Sequence, residues 1–191
     1  MCNSKIIMKK KIIIIDLFSY KDFHEVFNAK MLEIFYRIFK DIEYYGQESN
    51  INNISKLTTV YPSITIHSYN FKYPTNRWGL LFRYIHAAFR TFKLIWRYRK
   101  GNCIALNNNN PFLIPLLYIF SSYIKSTLLI SCHGELELLL NCTNRIGLLA
   151  RVQKKILSIY LLHHKIKPNI TFLVLGNSIL ANLHKMLPHY N

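Results

Sequence analysis

Acidic residues are scarce in this chain. It carries 9 Asp and Glu against 25 Lys and Arg, a formal net charge of +16 over 191 residues. Such a field disfavours basic partners and favours anionic ones: acidic lipid surfaces, nucleic acid or phosphorylated substrates. Paired cysteines are missing as well. Cys2, Cys103, Cys132 and Cys142 form no C-x-x-C unit, and no two Cys/His pairs stand at ligand spacing. The pattern argues against a disulfide scaffold and a zinc site, and for free thiols in a reducing compartment, with no metal expected. A long uninterrupted apolar run is the third absence. The start, KKKIIIIDLF, has the basic run of a signal peptide, but Asp16 cuts the apolar part short and no small-residue cleavage site follows. Pro111–Ile124, PFLIPLLYIFSSYI, is uncharged over about 14 residues, short of the roughly 20 a spanning helix needs.

Apolar residues, by contrast, are plentiful. A hydrophobic content of 51% excludes whole-chain disorder, and the length suits one domain, taken as residues 1–191. Six short apolar runs are expected as strands: Lys11–Phe18, Ile42–Tyr45, Ile64–His67, Cys103–Leu106, Thr127–Ser131 and Ile170–Leu175. They do not alternate, the mark of strands covered on both faces. Helical spacing falls between them: Ala29–Phe39, Trp78–Lys100, Pro111–Ile124, Ile146–His164 and Ile179–Met186. Gly46–Asn53 reads as a polar break. Strands alternating with helices imply right-handed crossovers and an α/β, doubly wound, mostly parallel sheet of Rossmann-like type.

The chemistry is expected where strands end, because ligands of open α/β sheets sit outside the carboxyl ends of the strands. The stretch Thr127–Leu140, TLLISCHGELELLL, sends a buried strand straight into His133-Gly134-Glu135. His133 titrates near neutrality and suits proton transfer or hydrogen bonding. Gly134 permits close approach of a ligand. Glu135 reads either as an acid or base or as a helix cap. Asp22, His24 and Glu25 lie in the loop after the first strand, and Asn107–Asn110 in the loop after the fourth. Asn107 and Asn108 suit sugar hydroxyls or plain turn chemistry. Gly176, Asn177 and Ser178 follow the sixth strand and open a helix whose amides could hold an anion.

The order of these elements, the HGELE loop after the fifth strand and the VLGNSI turn after the sixth resemble the N-terminal, acceptor-side domain of GT-B-fold glycosyltransferases of the group 1 type. The resemblance implies a role in polysaccharide or glycolipid synthesis, with His133 touching the donor sugar or a phosphate. It also implies a nucleotide-sugar donor gripped by a C-terminal domain, in the same chain or a partner chain. That domain is not visible in residues 1–191, so the chain is expected to be truncated or half of a split enzyme and inactive alone, with no cofactor of its own. The family's common glycine-rich turn after the first strand is replaced here by SYKDFHE. Glu25 and Glu33 mimic the spacing of a glutamate pair that the family keeps in its second domain; here they read as a polar helix face.

The helix expected over Trp78–Lys100 carries its basic residues at Arg83, His86, Arg90, Lys93, Arg97 and Lys100, in steps of three and four that keep them in one stripe. The opposite side shows Leu81, Ile85, Phe89, Phe92, Ile95 and Trp96. The stripe Arg83, Arg90, Lys93, Arg97 and Lys100 reads as a solvated face or as a contact with an anionic membrane surface. A peripheral protein on the cytoplasmic face of the membrane, non-enzymatic, is therefore the alternative to the transferase domain. Nucleic acid is the third reading; no RNA or DNA module is visible in the sequence.

Overall fold

A computed structural model of the chain describes residues 11–19, 24–72, 76–108, 110–132, 147–162, 169–174 and 176–186. The first strand, β1 (Lys11–Asp16), contains four consecutive isoleucines, all buried. Helix α1 (Glu25–Ile38) follows, then β2 (Asp41–Gln47), α2 (Glu48–Leu57) and β3 (Thr65–Tyr69). The long helix α3 (Arg77–Arg97) starts at Asn76, whose side chain accepts from the Gly79 amide at 2.7 Å as an N-cap should. The turn after α3 ends at Gly101, which takes the left-handed φ of 74° that glycine adopts without strain. Next come β4 (Cys103–Leu106), α4 (Ile114–Phe120), β5 (Thr127–Cys132), α5 (Leu148–Leu157), β6 (Ile170–Val174) and α6 (Asn177–Met186).

The six strands form one sheet in the order β3-β2-β1-β4-β5-β6, and every pairing is parallel. This is the doubly wound, Rossmann-like α/β architecture expected from the strand and helix pattern. Alternation along β1 divides the core into two layers. Ile12 and Ile14 pack with Ala29, Leu32 and Phe35 of α1 and with Ile51 and Ile54 of α2. Ile13 and Ile15 pack on the other face, with Ala88, Leu94 and Ile95 of α3 and Leu117 of α4.

Three local outcomes differ from expectation. Helix α1 begins at Glu25, four residues before the expected Ala29, so Glu25 is helical and not part of the loop after β1. The polar break expected over Gly46–Asn53 is instead the end of β2 and the start of α2, with no loop between them. ESNINNISKL is polar overall but buries Asn50, Ile51 and Ile54 along one side, and that burial holds the helix. Pro111–Ile124 forms the short α4 and a single 3₁₀ turn (Ser121–Tyr123). Among the described residues no helix is long and apolar enough to cross a membrane.

At the amino-terminal end of the sheet, Glu43 of β2 is the centre of a polar cluster. Its Oε2 accepts from the hydroxyls of Tyr45 at 2.8 Å and Tyr98 at 2.7 Å, and Lys11 forms an ion pair with the same carboxylate. The imidazole of His67 stacks on Tyr45 with ring centres 4.2 Å apart. Burial opposes ionisation of Glu43, but hydrogen bonds from Lys11, Tyr98 and Tyr45 outweigh it and hold the carboxyl at about 2, below its usual 4.5. A folded-state value below the unfolded one means that ionised Glu43 favours the native state. Solvent still reaches this partly buried carboxylate and screens its partners, which leaves a contribution on the order of 1–2 kcal/mol; it is complete above about pH 4.5 and disappears as the pH falls toward 2. Urea melts at a series of acidic pH values should show this loss in the native protein and a flatter profile in Glu43→Gln. Gly46→Ala gives a second test of packing. Its new Cβ would stand 2.6 Å from the ring of Tyr44, itself buried, and 3.2 Å from Ile51. The expected cost is about 1–3 kcal/mol in the same melts.

Candidate functional site

The order of strands determines where a ligand can sit. Helices α1 and α2 cover one face and α3 and α4 the other. The chain therefore leaves adjacent strands β1 and β4 in opposite directions, which opens a crevice at their carboxyl ends. The residues that follow β1 (Leu17, Phe18, Ser19) and β4 (Asn107, Asn108) form the floor of that crevice.

In and beneath this floor lies a set of buried polar side chains: Asp16, Ser19, Asn28, Gln47, Asn50 and Asn107. Buried polar groups of this kind are tolerated only when hydrogen-bonded. Asn28 of α1 makes three such bonds. Its Nδ2 donates to Asp16 Oδ2 at 2.5 Å and to Asn50 Oδ1 at 3.3 Å, and its Oδ1 accepts from Asn107 Nδ2 at 3.1 Å. One side chain thus joins the ends of β1 and β4 to α1 and α2. The other carboxylate oxygen of Asp16 accepts from the Ser19 amide at 3.1 Å, which turns the chain away from β1. Gln47 adds the end of β2, donating to the Leu17 carbonyl at 3.1 Å.

His24 sits at the entry to α1 with φ 60° and ψ 18°; among the described residues it is the one non-glycine residue at positive φ. The left-handed conformation costs a side-chain-bearing residue on the order of 1 kcal/mol. The His24 carbonyl accepts from the Asn28 amide at 2.8 Å, so the strained residue is fixed to the network. Glu25, in the first turn of α1, accepts from Asn53 Nδ2 of α2 at 3.2 Å. Asn107 is fully buried and acts on the crevice by positioning. Asn108 is part-buried and reaches Ser19 Oγ at 3.5 Å. Gly176, Asn177 and Ser178 are exposed at the carboxyl end of β6, with two strands, β4 and β5, between them and β1. Asp22, His133, Gly134 and Glu135 lie outside the described residues. Glu33 pairs with Lys30 at 2.9 Å on the surface of α1.

The basic stripe expected along α3 is open in part: Arg90, Lys93, Arg97 and Lys100 are exposed, while Arg83 and His86 are half-buried. Arg83 turns inward: its Nη2 donates to the Phe18 carbonyl and its guanidinium lies 4.9 Å from the Phe18 ring. Arg90 lies 5.8 Å from the ring of Phe71 and donates to His86 Nε2 at 3.2 Å. Burial, with the charge of Arg90 adding to it, lowers the pKa of His86 and favours the neutral ring that accepts this bond. Arg90, Lys93 and Arg97 then line a groove of about 450 Å³ with Leu17 and Tyr69. Lys100 is exposed beyond the end of α3.

A second groove, of about 490 Å³, opens at the carboxyl ends of β2 and β3. Gln47, Glu48, Ser49, Asn52, Asn70 and Lys72 supply its polar groups, and Tyr69 and Phe71 its aromatic ones. The two rings stack, with centres 5.4 Å apart. Asn70 Nδ2 donates to Glu48 Oε2 at 2.7 Å, and Gln47 Oε1 accepts from the Phe71 amide at 3.4 Å. Sequence reasoning missed these residues because it placed a featureless loop where β2 meets α2. The clustering of Gln, Glu, Ser and Asn over Gln47–Asn53 was the available signal.

If Asn28 is the junction of the buried network, replacing it with a carboxylate is severe. Asn28→Asp sets two acids 2.5 Å apart and removes a donor from Asp16. A loss of about 3 kcal/mol or more at neutral pH is expected. It should shrink as the pH is lowered, because a proton shared by the two carboxyls restores the bond. Denaturant unfolding of the variant at neutral and mildly acidic pH measures both.

Compared with protein-family models, with curated proteins and with solved structures, the chain matches none; its function is argued from this geometry.

Proposed function

We propose that this chain binds a carbohydrate acceptor at the carboxyl edge of its sheet and acts as the acceptor-side domain in glycosyl transfer. The groove at the ends of β2 and β3 carries this reading. A sugar presents closely spaced hydroxyls around an apolar C–H face. Amide side chains and a carboxylate bond the hydroxyls in pairs, and an aromatic ring takes the C–H face. Asn52, Asn70 and Glu48 beside the stacked Tyr69 and Phe71 supply that combination.

The location agrees with the chemistry. The groove shares Gln47 with the network beneath the β1–β4 crevice, so an acceptor bound there extends toward the switch point. The carboxylates described along this edge are already bonded within the protein: Asp16 with Ser19 and Asn28, Glu25 with Asn53, Glu48 with Asn70. In this reading Asp16 and Glu25 shape and orient, Glu48 meets the hydroxyls together with Asn70, and none of the three transfers a proton. The proton-transfer role expected of His133 and Glu135 stays with those residues, and the nucleotide sugar is held by a second domain or a partner chain, as the resemblance implies.

Isothermal titration calorimetry of the chain against a panel of soluble oligosaccharides tests the proposal. Binding is expected, and Asn52→Leu and Asn70→Leu, both at exposed positions, should each weaken it roughly tenfold, the value of about one to two lost hydrogen bonds. Heats indistinguishable from buffer across the panel, or binding indifferent to both substitutions, would sink the reading.

A further inference from the structure

Helix α3 does not divide into one buried and one polar side. Ala87, Ala88, Thr91, Leu94 and Ile95 face the sheet. The basic residues Arg90, Lys93 and Arg97 occupy a neighbouring sector. A third sector is apolar and open to solvent. Trp78, Phe82, Ile85 and Phe89 are 75%, 57%, 48% and 62% exposed. Their spacing of four, three and four puts them in a single row. The row continues through Phe92 and Trp96, but there it is covered. Phe120 packs on both rings, at 5.2 and 5.7 Å, and Tyr123 packs on Trp96 at 6.3 Å. The uncovered part is therefore the amino-terminal half of α3, the end beside Arg83 and the β1 loop.

We propose that this row is a membrane-docking surface: α3 lies in the headgroup region of an anionic lipid bilayer, with Trp78, Phe82, Ile85 and Phe89 inserted and Arg90, Lys93 and Arg97 against lipid phosphates. Two observations select this occupant. The apolar row is large and aromatic, and cations gather at its carboxyl-terminal end, at Arg90, Lys93 and Arg97, the composition of an interfacial helix. Charge complementarity is one-sided as well. The sequence has no Asp or Glu between Glu48 and Glu135, so α3, β3, β4 and α4 hold no carboxylate, and the acids of the other two strands beneath α3, Asp16 of β1 and Glu43 of β2, are already bonded to Ser19 and Asn28 and to Lys11, Tyr45 and Tyr98. A protein interface would pair such charges; a phosphate-rich surface needs only the cations. The inference does not depend on the carbohydrate reading: its apolar row lies on α3 and needs no sugar, although Tyr69 lines both grooves and Arg90 lies over Phe71.

The chain has two tryptophans, which supplies a direct readout. In a Trp96→Phe background Trp78 is the sole indole reporter. Its emission is expected to shift to the blue on adding phosphatidylglycerol–phosphatidylcholine vesicles, and to be quenched by brominated acyl chains. Pure phosphatidylcholine should give little effect, and raised salt should weaken the response. In the native protein, Phe82→Ser and Phe89→Ser should each lower vesicle affinity about tenfold, as expected for a lost phenylalanine anchor. Arg90→Gln with Lys93→Gln should abolish the preference for anionic lipid. All four positions are at the surface, and unchanged thermal unfolding of each variant confirms that the fold is kept. Unshifted Trp78 emission with anionic vesicles at low salt overturns the proposal. So does self-association in ultracentrifugation that is lost in Phe89→Ser while vesicles are ignored, since a second copy would then be the occupant. Salt-sensitive binding to random nucleic acid, without a lipid response, also overturns it.

Discussion

The side-chain amide of Asn28 is the point on which the carboxyl edge of this molecule depends. An amide has two donor hydrogens and an acceptor oxygen, and here they are divided among Asp16, Asn50 and Asn107. A helix, a second helix and two strands are thereby fixed to each other at a place where apolar packing alone could not set their relation. Apolar contact is nondirectional, so it brings the layers together without specifying how loops leave the strands. Hydrogen bonds with fixed donors and acceptors supply that specification, and in a buried site each unmade bond is expensive.

The two ends of the sheet use polar chemistry in opposite ways. At the amino-terminal end, Glu43 collects Lys11, Tyr45 and Tyr98 into a closed cluster with an ionised centre, whose contribution is to stability. At the carboxyl end, the Asn-rich network is neutral apart from Asp16 and supports open grooves lined by Asn52, Asn70, Tyr69 and Phe71 on one side and by Arg90, Lys93 and Arg97 on the other. The division matches the general behaviour of parallel sheets, in which one end is structural and the other presents side chains to ligands. The strained backbone at His24 falls at the second end, as stored strain commonly does at sites with a function.

Helix α3 links these themes. Small residues, Ala87 and Ala88, let it lie close on the sheet. The bulky residues that spacing alone assigns to a packed side, Ile85 and Phe89, are displaced outward. A helix read as two-faced in sequence is three-faced in the fold, because the sheet takes a narrow strip and α4 covers only the carboxyl-terminal half of what remains. The surplus apolar surface next to a row of cations gives this basic chain a direction.

The local structure was largely legible in the sequence. Unbroken β-branched runs such as Ile12–Ile15 satisfy a strand only if both faces are covered, which demands parallel pairing and helices on either side. Periodicity placed α3 near its observed bounds, but it started α1 at Ala29 rather than Glu25 and ran α4 well past the observed Ile114–Phe120; the excess of Lys and Arg stated the charge. Helix α2 escaped notice because its asparagines are poor helix formers by themselves, and only burial of Ile51 and Ile54 against β1 and β2 makes the segment helical. What the sequence could not contain is the order β3-β2-β1-β4-β5-β6 and everything that follows from it. Asp16, Asn28, Asn50 and Asn107 are unremarkable polar residues until the sheet sets them side by side. The same holds for the groove between Asn52 and Asn70, and for the difference between Arg83, turned inward, and Phe89, turned outward. Spacing along a chain fixes which side of an element a residue occupies; only the neighbours delivered by the tertiary fold decide whether that side is buried, bonded or bare.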